Sequence, residues 1–286
     1  MMRRRVAAGI GALLVTGAVA ACAPAPEQDT PPRTRTDGAG TSAPPGDTGS
    51  GPAGPYVALG DSYTSAPGTG DPVGAPPGCQ RSDNNYPRLV AERLDVAHLT
   101  DVSCGGATTE HAVVEQRTPR GTNPAQLDAV SHATSLVTLG FGGNDVGLVD
   151  LAVRCAGAAS ARARCAPGEG GDTVELGSRV DDAAESVGDL VEAVRERAPQ
   201  ARVVVVGYPS ILPDDAEACG HLPYSTAEID LLRGGLDALD DALREVAQRQ
   251  DVVFADTRAD TRGHGVCAPE SRRWIAPPGA AADGAA

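Results

Sequence analysis

Three short stretches carry residues able to do acyl-transfer chemistry. Gly60-Asp61-Ser62-Tyr63-Thr64-Ser65 offers a hydroxyl on a turn. Cys104-Gly105-Gly106-Ala107-Thr108-Thr109 offers a glycine-rich backbone whose N–H groups a substrate can approach closely. Gly140-Phe141-Gly142-Gly143-Asn144-Asp145 offers an amide side chain, a donor without a competing charge. A hydroxyl nucleophile together with donors aimed at a developing oxyanion is the equipment of acyl transfer. Each stretch alone also reads as a plain turn or a helix-capping loop. The three together gain force from where they stand, each directly after a strand candidate.

Those strand candidates are Tyr56 to Leu59, His98 to Ser103 and Ser135 to Leu139, followed by Ala201 to Val206 and Val252 to Ala255. Helical patterns alternate with them. Tyr86 to Leu94 is short. Ser178 to Arg197 places Val180, Ala184, Val187, Val191 and Val194 on one face, and Thr226 to Gln250 forms another long helix. This βαβα alternation predicts an α/β domain around a mostly parallel sheet, whose sites form at the carboxyl ends of strands.

Composition narrows the chemistry. The formal net charge is −14, which argues against nucleic-acid partners. All 24 basic residues are arginine, so mechanisms that need a lysine are excluded. There is no Gly-x-Ser-x-Gly elbow around Ser62, and no dinucleotide fingerprint, Walker loop or His-Glu-x-x-His zinc motif. No cofactor or metal is expected.

The amino terminus reads as a targeting signal. Arg3, Arg4 and Arg5 precede an apolar run from Val6 to Ala21, and Val19-Ala20-Ala21-Cys22 resembles a bacterial lipobox. Residues 1–22 are therefore expected to be a signal peptide with Cys22 lipidated. Residues 23–54, rich in Pro, Gly, Thr and Ser, are expected to be a disordered linker. Setting Cys22 aside leaves six of seven cysteines, an even number that suits an exported disulfide scaffold and allows 15 pairings.

Gly-Asp-Ser, the Gly of Gly-Ala-Thr-Thr, and Gly-Gly-Asn-Asp resemble blocks I, II and III of the SGNH (GDSL-type) hydrolases, in the secreted actinobacterial esterase and lipase branch. The resemblance covers Tyr56 to about Trp274. It implies a three-layer αβα sandwich, flavodoxin-like, with a five-stranded sheet. It also implies Ser62 as nucleophile, with an oxyanion hole made by the Ser62 N–H, the Gly106 N–H and the Asn144 amide. The family pattern implies the disulfides Cys79–Cys104, Cys155–Cys165 and Cys219–Cys267. The resemblance further implies small-molecule or lipid esters as substrates; the chain is expected to be a monomer outside the cell, held to the membrane only by the lipid anchor that the lipobox suggests, or else secreted.

One part of the pattern is not met. The family carries its catalytic histidine in a His-Pro-Asn-like block near the carboxyl terminus. Here the histidines are His98, His111, His132, His221 and His264, and none precedes Pro-Asn. The domain from residue 55 to 286 is therefore expected to be truncated at its carboxyl end. In the alternative, His264 in Arg262-Gly263-His264-Gly265 serves as base. A further alternative is an inactive surface protein that binds an acyl or glycan ligand.

Overall fold

The computed structural model describes residues 54–156, 172–220 and 222–275. The segments expected to be a signal peptide and a linker up to residue 53, with Cys22, and also Cys165, His221 and the final residues from 276, lie outside the described residues. No helix among the described residues is long and apolar enough to cross a membrane.

The chain runs β1 (Tyr56–Gly60), α1 (Ser62–Ser65), α2 (Tyr86–Arg93), β2 (Leu99–Asp101), β3 (Gln116–Thr118), β4 (Gly121–Asn123) and β5 (Leu136–Gly140). It continues through α3 (Gly143–Val146), α4 (Leu148–Ala156), α5 (Asp172–Arg197), β6 (Arg202–Val206), α6 (Thr226–Arg249), β7 (Val253–Ala255) and α7 (Thr257–Thr261). Five strands form one sheet in the order β2-β1-β5-β6-β7, and every pairing is parallel. The fold is the expected α/β arrangement. Strand order reverses between β1 and β5, and in such sheets the crevice beyond the strand ends at that point receives ligands.

β1 and β5 are central and buried along their whole length, which explains their nearly unbroken apolar sequences. On one face Val57, Leu59, Val137, Leu139, Val203 and Val205 pack against the apolar stripes of α5 and α6. All five residues of the α5 stripe read from the sequence are buried. The helix itself begins earlier than its sequence pattern suggested, at Asp172. A capping box starts α6: Ser225 accepts from the Glu228 N–H, and Glu228 accepts the Ser225 N–H at 2.7 Å. The opposite face is thinner, with Tyr56, Ala58 and Leu136 against Ala91 of α2.

The sequence pattern overlooked the β3–β4 hairpin. Its strands are three residues each and largely polar, too short to show a period. The hairpin fastens the segment after β2. Gln116 Nε2 donates to the Gly105 carbonyl at 2.9 Å, and Asn123 Nδ2 to the Val102 carbonyl at 3.1 Å. The Cys79–Cys104 disulfide holds the same segment from the other side, and the Gly105 N–H donates to the Cys79 carbonyl. Cys219 is joined to Cys267, which ties the loop after β6 to the loop after β7. Cys155 is also disulfide-bonded.

Candidate active site

Ser62 opens α1 directly beyond the carboxyl end of β1. Asp61 caps that helix, accepting the Tyr63 N–H at 2.8 Å, and the Ser62 N–H has no intrahelical acceptor. The backbone just before this turn is clamped by Gln126, a fully buried amide. Its Oε1 accepts the Gly60 N–H at 2.8 Å and its Nε2 donates to the Gly60 carbonyl at 3.0 Å. Ser62 itself is half-buried, and its hydroxyl makes no hydrogen bond among the described residues.

Gly106 stands beyond β2 on an exposed turn at φ +75°, a left-handed conformation that glycine adopts without strain. The neighbouring N–H groups are spent: Gly105 on Cys79 and Ala107 on Cys104. The Gly106 N–H has no acceptor among the described residues. Asn144 lies on α3, beyond β5. One hydrogen of its Nδ2 goes to the Ala107 carbonyl at 2.8 Å, which orients the amide and leaves the second hydrogen free. The adjacent Asp145 accepts the Thr109 N–H at 3.0 Å and its hydroxyl as well. The Gly106 turn and α3 are therefore bound to one another twice.

Burial shifts the titrating groups around the site. Asp61 is 1% exposed, and burial pushes its carboxyl up to about 7 despite donors from Tyr208 and Tyr63. The buried Tyr208 hydroxyl is held protonated well above its ordinary value by burial and by Asp61. Sequence reasoning missed Gln126, Asp145 and Tyr208. The Gly-Gly-Asn-Asp motif contained a signal for Asp145; Gln126 and Tyr208 carried none that periodicity could reveal.

The histidines divide by position. The His98 carbonyl accepts the Tyr56 N–H, which places it at the amino ends of the strands, away from Ser62. His132 also precedes its strand. His111 completes a cap, its Nδ1 accepting the Thr108 N–H at 3.0 Å. His264 follows α7. Its Nδ1 lies 2.6 Å from the Arg272 carbonyl and its ring stacks on Trp274 at 3.7 Å. No histidine among the described residues is hydrogen-bonded to Ser62.

A serine turn, a glycine turn and an asparagine thus stand at adjoining ends of a parallel α/β sheet. Comparison with protein families matches residues 58–279 to the GDSL-like Lipase/Acylhydrolase family, and this chain belongs to that family. It is similar to Lipase 2 of Streptomyces coelicolor, 36% identical over 230 residues, covering 78% of this chain and 76% of that protein. Among solved structures it is similar to phospholipase A1 from Streptomyces albidoflavus NA297, with TM-score 0.63 and 29% identity over 78% of this chain and 86% of that one. The extracellular lipase from Streptomyces rimosus aligns with TM-score 0.62 and 27% identity, over 76% and 86% of the two chains.

Proposed function

We propose that this chain is an exported carboxylic ester hydrolase in which Ser62 is the nucleophile. The observation that carries this reading is a set of unspent donors. The Ser62 N–H, the Gly106 N–H and the second hydrogen of Asn144 Nδ2 have no acceptor among the described residues, and they stand at three neighbouring strand ends. Ser62 Oγ attacks the acyl carbon and its proton passes to a base. The tetrahedral oxyanion takes the three donors. The proton then goes to the leaving alkoxide, which departs, and water repeats the sequence to free the acid. Relatives named lipase, and a structural neighbour that is a phospholipase A1, support a lipid ester as substrate.

The test is turnover of a short-chain nitrophenyl ester by the oxidised chain, set beside Ser62→Ala. Turnover is expected to fall by roughly 10³-fold or more in the variant. Equal rates for the two proteins would sink the reading. His264→Ala then assigns the base: loss comparable to Ser62→Ala places it on His264, whose Nδ1 contact leaves Nε2 as the ring's free acceptor. Retained turnover places it elsewhere in the chain.

One observation favours a second reading. The Ser62 hydroxyl has no histidine partner among the described residues. A protein that binds an acyl or glycan ligand without turning it over would share these donors. It would show saturable ligand binding with no Ser62-dependent hydrolysis.

A further inference from the structure

Tyr208 comes two residues after β6 and reaches across the end of β5 to both turns that flank the site. Its hydroxyl donates to Asp61 Oδ2 at 2.6 Å and accepts the Gly143 N–H at 2.8 Å. The other carboxylate oxygen of Asp61 takes the Tyr63 N–H at 2.8 Å. The result is one unbroken chain: Tyr63 N–H, Asp61 carboxyl, Tyr208 hydroxyl, Gly143 N–H. Its first two members bracket Ser62 in sequence, and its last immediately precedes Asn144.

The bridge is firmly seated. Tyr208 is 2% exposed. Its N–H donates to Asp240 Oδ1 at 2.9 Å, and Asp240 is fully buried and paired with Arg258 Nε at 3.3 Å. Its ring meets Tyr63 edge-on at 5.1 Å. A Cβ on Gly143 would lie 3.2 Å from the Tyr208 hydroxyl, so any larger residue there would have to push the bridge by a few tenths of an ångström. The requirement is for a rigid side chain whose tip both donates and accepts. Phenylalanine keeps the ring and does neither.

We propose that Tyr208 is a positioning residue: its hydroxyl fixes the separation of the Ser62 turn and the Asn144 turn, so that nucleophile and oxyanion donor address the same carbonyl. The proposal rests on the roles given above to Ser62 and Asn144. Tyr208 acts through Asp61 and Gly143, and its hydroxyl is occupied by them.

The experiment is Tyr208→Phe in the full, oxidised chain, with Tyr56→Phe as control. Tyr56 also loses a buried hydroxyl bond, to Thr138 at 2.9 Å, but neither residue bonds to Asp61, Tyr208 or Gly143. Amide hydrogen exchange is read at Tyr63 and Gly143, together with kcat and KM for the nitrophenyl ester. Tyr208→Phe is expected to speed exchange at both amides by roughly tenfold or more. It should lower kcat by about tenfold, with KM within about twofold of wild type. Tyr56→Phe is expected to leave exchange at those two amides unchanged. Unaltered exchange at Tyr63 and Gly143 in Tyr208→Phe would overturn the proposal, as would the same acceleration in Tyr56→Phe. The exchange result stands whether or not wild type turns over ester, so failure of the bridge and failure of the hydrolase reading are told apart.

Discussion

The segment before α4 and the segment from α5 onward are held together by different forces. In the first, polar side chains bond the backbone at the strand ends: Gln126 on Gly60, Gln116 on Gly105, Asn144 on Ala107, Asp145 on Thr109, and Arg81 on the Ser103 carbonyl at 2.7 Å. In the second, two long helices lay aliphatic stripes on the sheet, and ion pairs gather on α6 and α7, where Arg258 engages Asp237, Asp240 and Asp241. Aliphatic packing is strong but tolerant of small shifts; a hydrogen bond weakens steeply with angle. Directional bonds therefore suit the strand ends, where backbone groups must be aimed, and area burial suits the helices, which need only support the sheet. Tyr208 is where the supporting segment hands a directional bond to the other.

The largest effect that would test this division is in the support. Leu243→Ala on α6 removes a fully buried side chain and is expected to cost about 2–5 kcal/mol of stability. The Ser62-dependent rate per folded molecule should hardly change, as denaturant unfolding and active-fraction kinetics would show. A matching loss of rate would break the comparison.

Asp145→Ala should cost less stability, about 1–3 kcal/mol, because it strands the Thr109 N–H and hydroxyl. Its effect on kcat should exceed its effect on stability relative to Leu243→Ala, since it loosens the Gly106 turn from α3. Melting temperature and kcat measured together decide this.

The effect spread most thinly, a little at each step of pH, is a slope in stability. Asp61 is raised to about 7 in the fold, against about 4 for a free aspartate, and Asp240 to about 6. The folded state thus holds these protons more tightly than the unfolded chain. Stability from this source is full below about pH 4 and is lost as pH rises toward 7, on the order of 1 kcal/mol per pH unit. Asp61→Asn should flatten part of that slope in unfolding midpoints taken between pH 5 and 7; a slope of opposite sign in wild type would contradict the assignment.

Much of the frame was legible in sequence because burial writes itself as periodicity. The stripe of α5 shows it plainly, β1 and β5 show burial instead as unbroken apolar runs, and the strand-end positions of Ser62, Gly106 and Asn144 follow from topology. Two of the family-implied cysteine pairs, Cys79–Cys104 and Cys219–Cys267, are present. The partners of the site residues were not legible. Gln126 lies 66 residues from Gly60, and a buried glutamine has the same letter as an exposed one. The β3–β4 hairpin was hidden because its strands answer to the Gly105 and Val102 carbonyls rather than to a hydrophobic face.

For the proposed hydrolase, the reach of Tyr208 bears on when the site is completed during folding. The site is stitched by contacts spanning 37 residues between Asn144 and Ala107, 66 between Gln126 and Gly60, and 147 between Tyr208 and Asp61. Parallel strands cannot pair until the intervening chain has come together, so such long-range contacts form late. An intermediate with β1, β2 and β5 assembled but β6 unplaced would carry the serine and the asparagine without their brace. Catalytic competence would then arrive as the last event of refolding, lagging behind the recovery of helix signal.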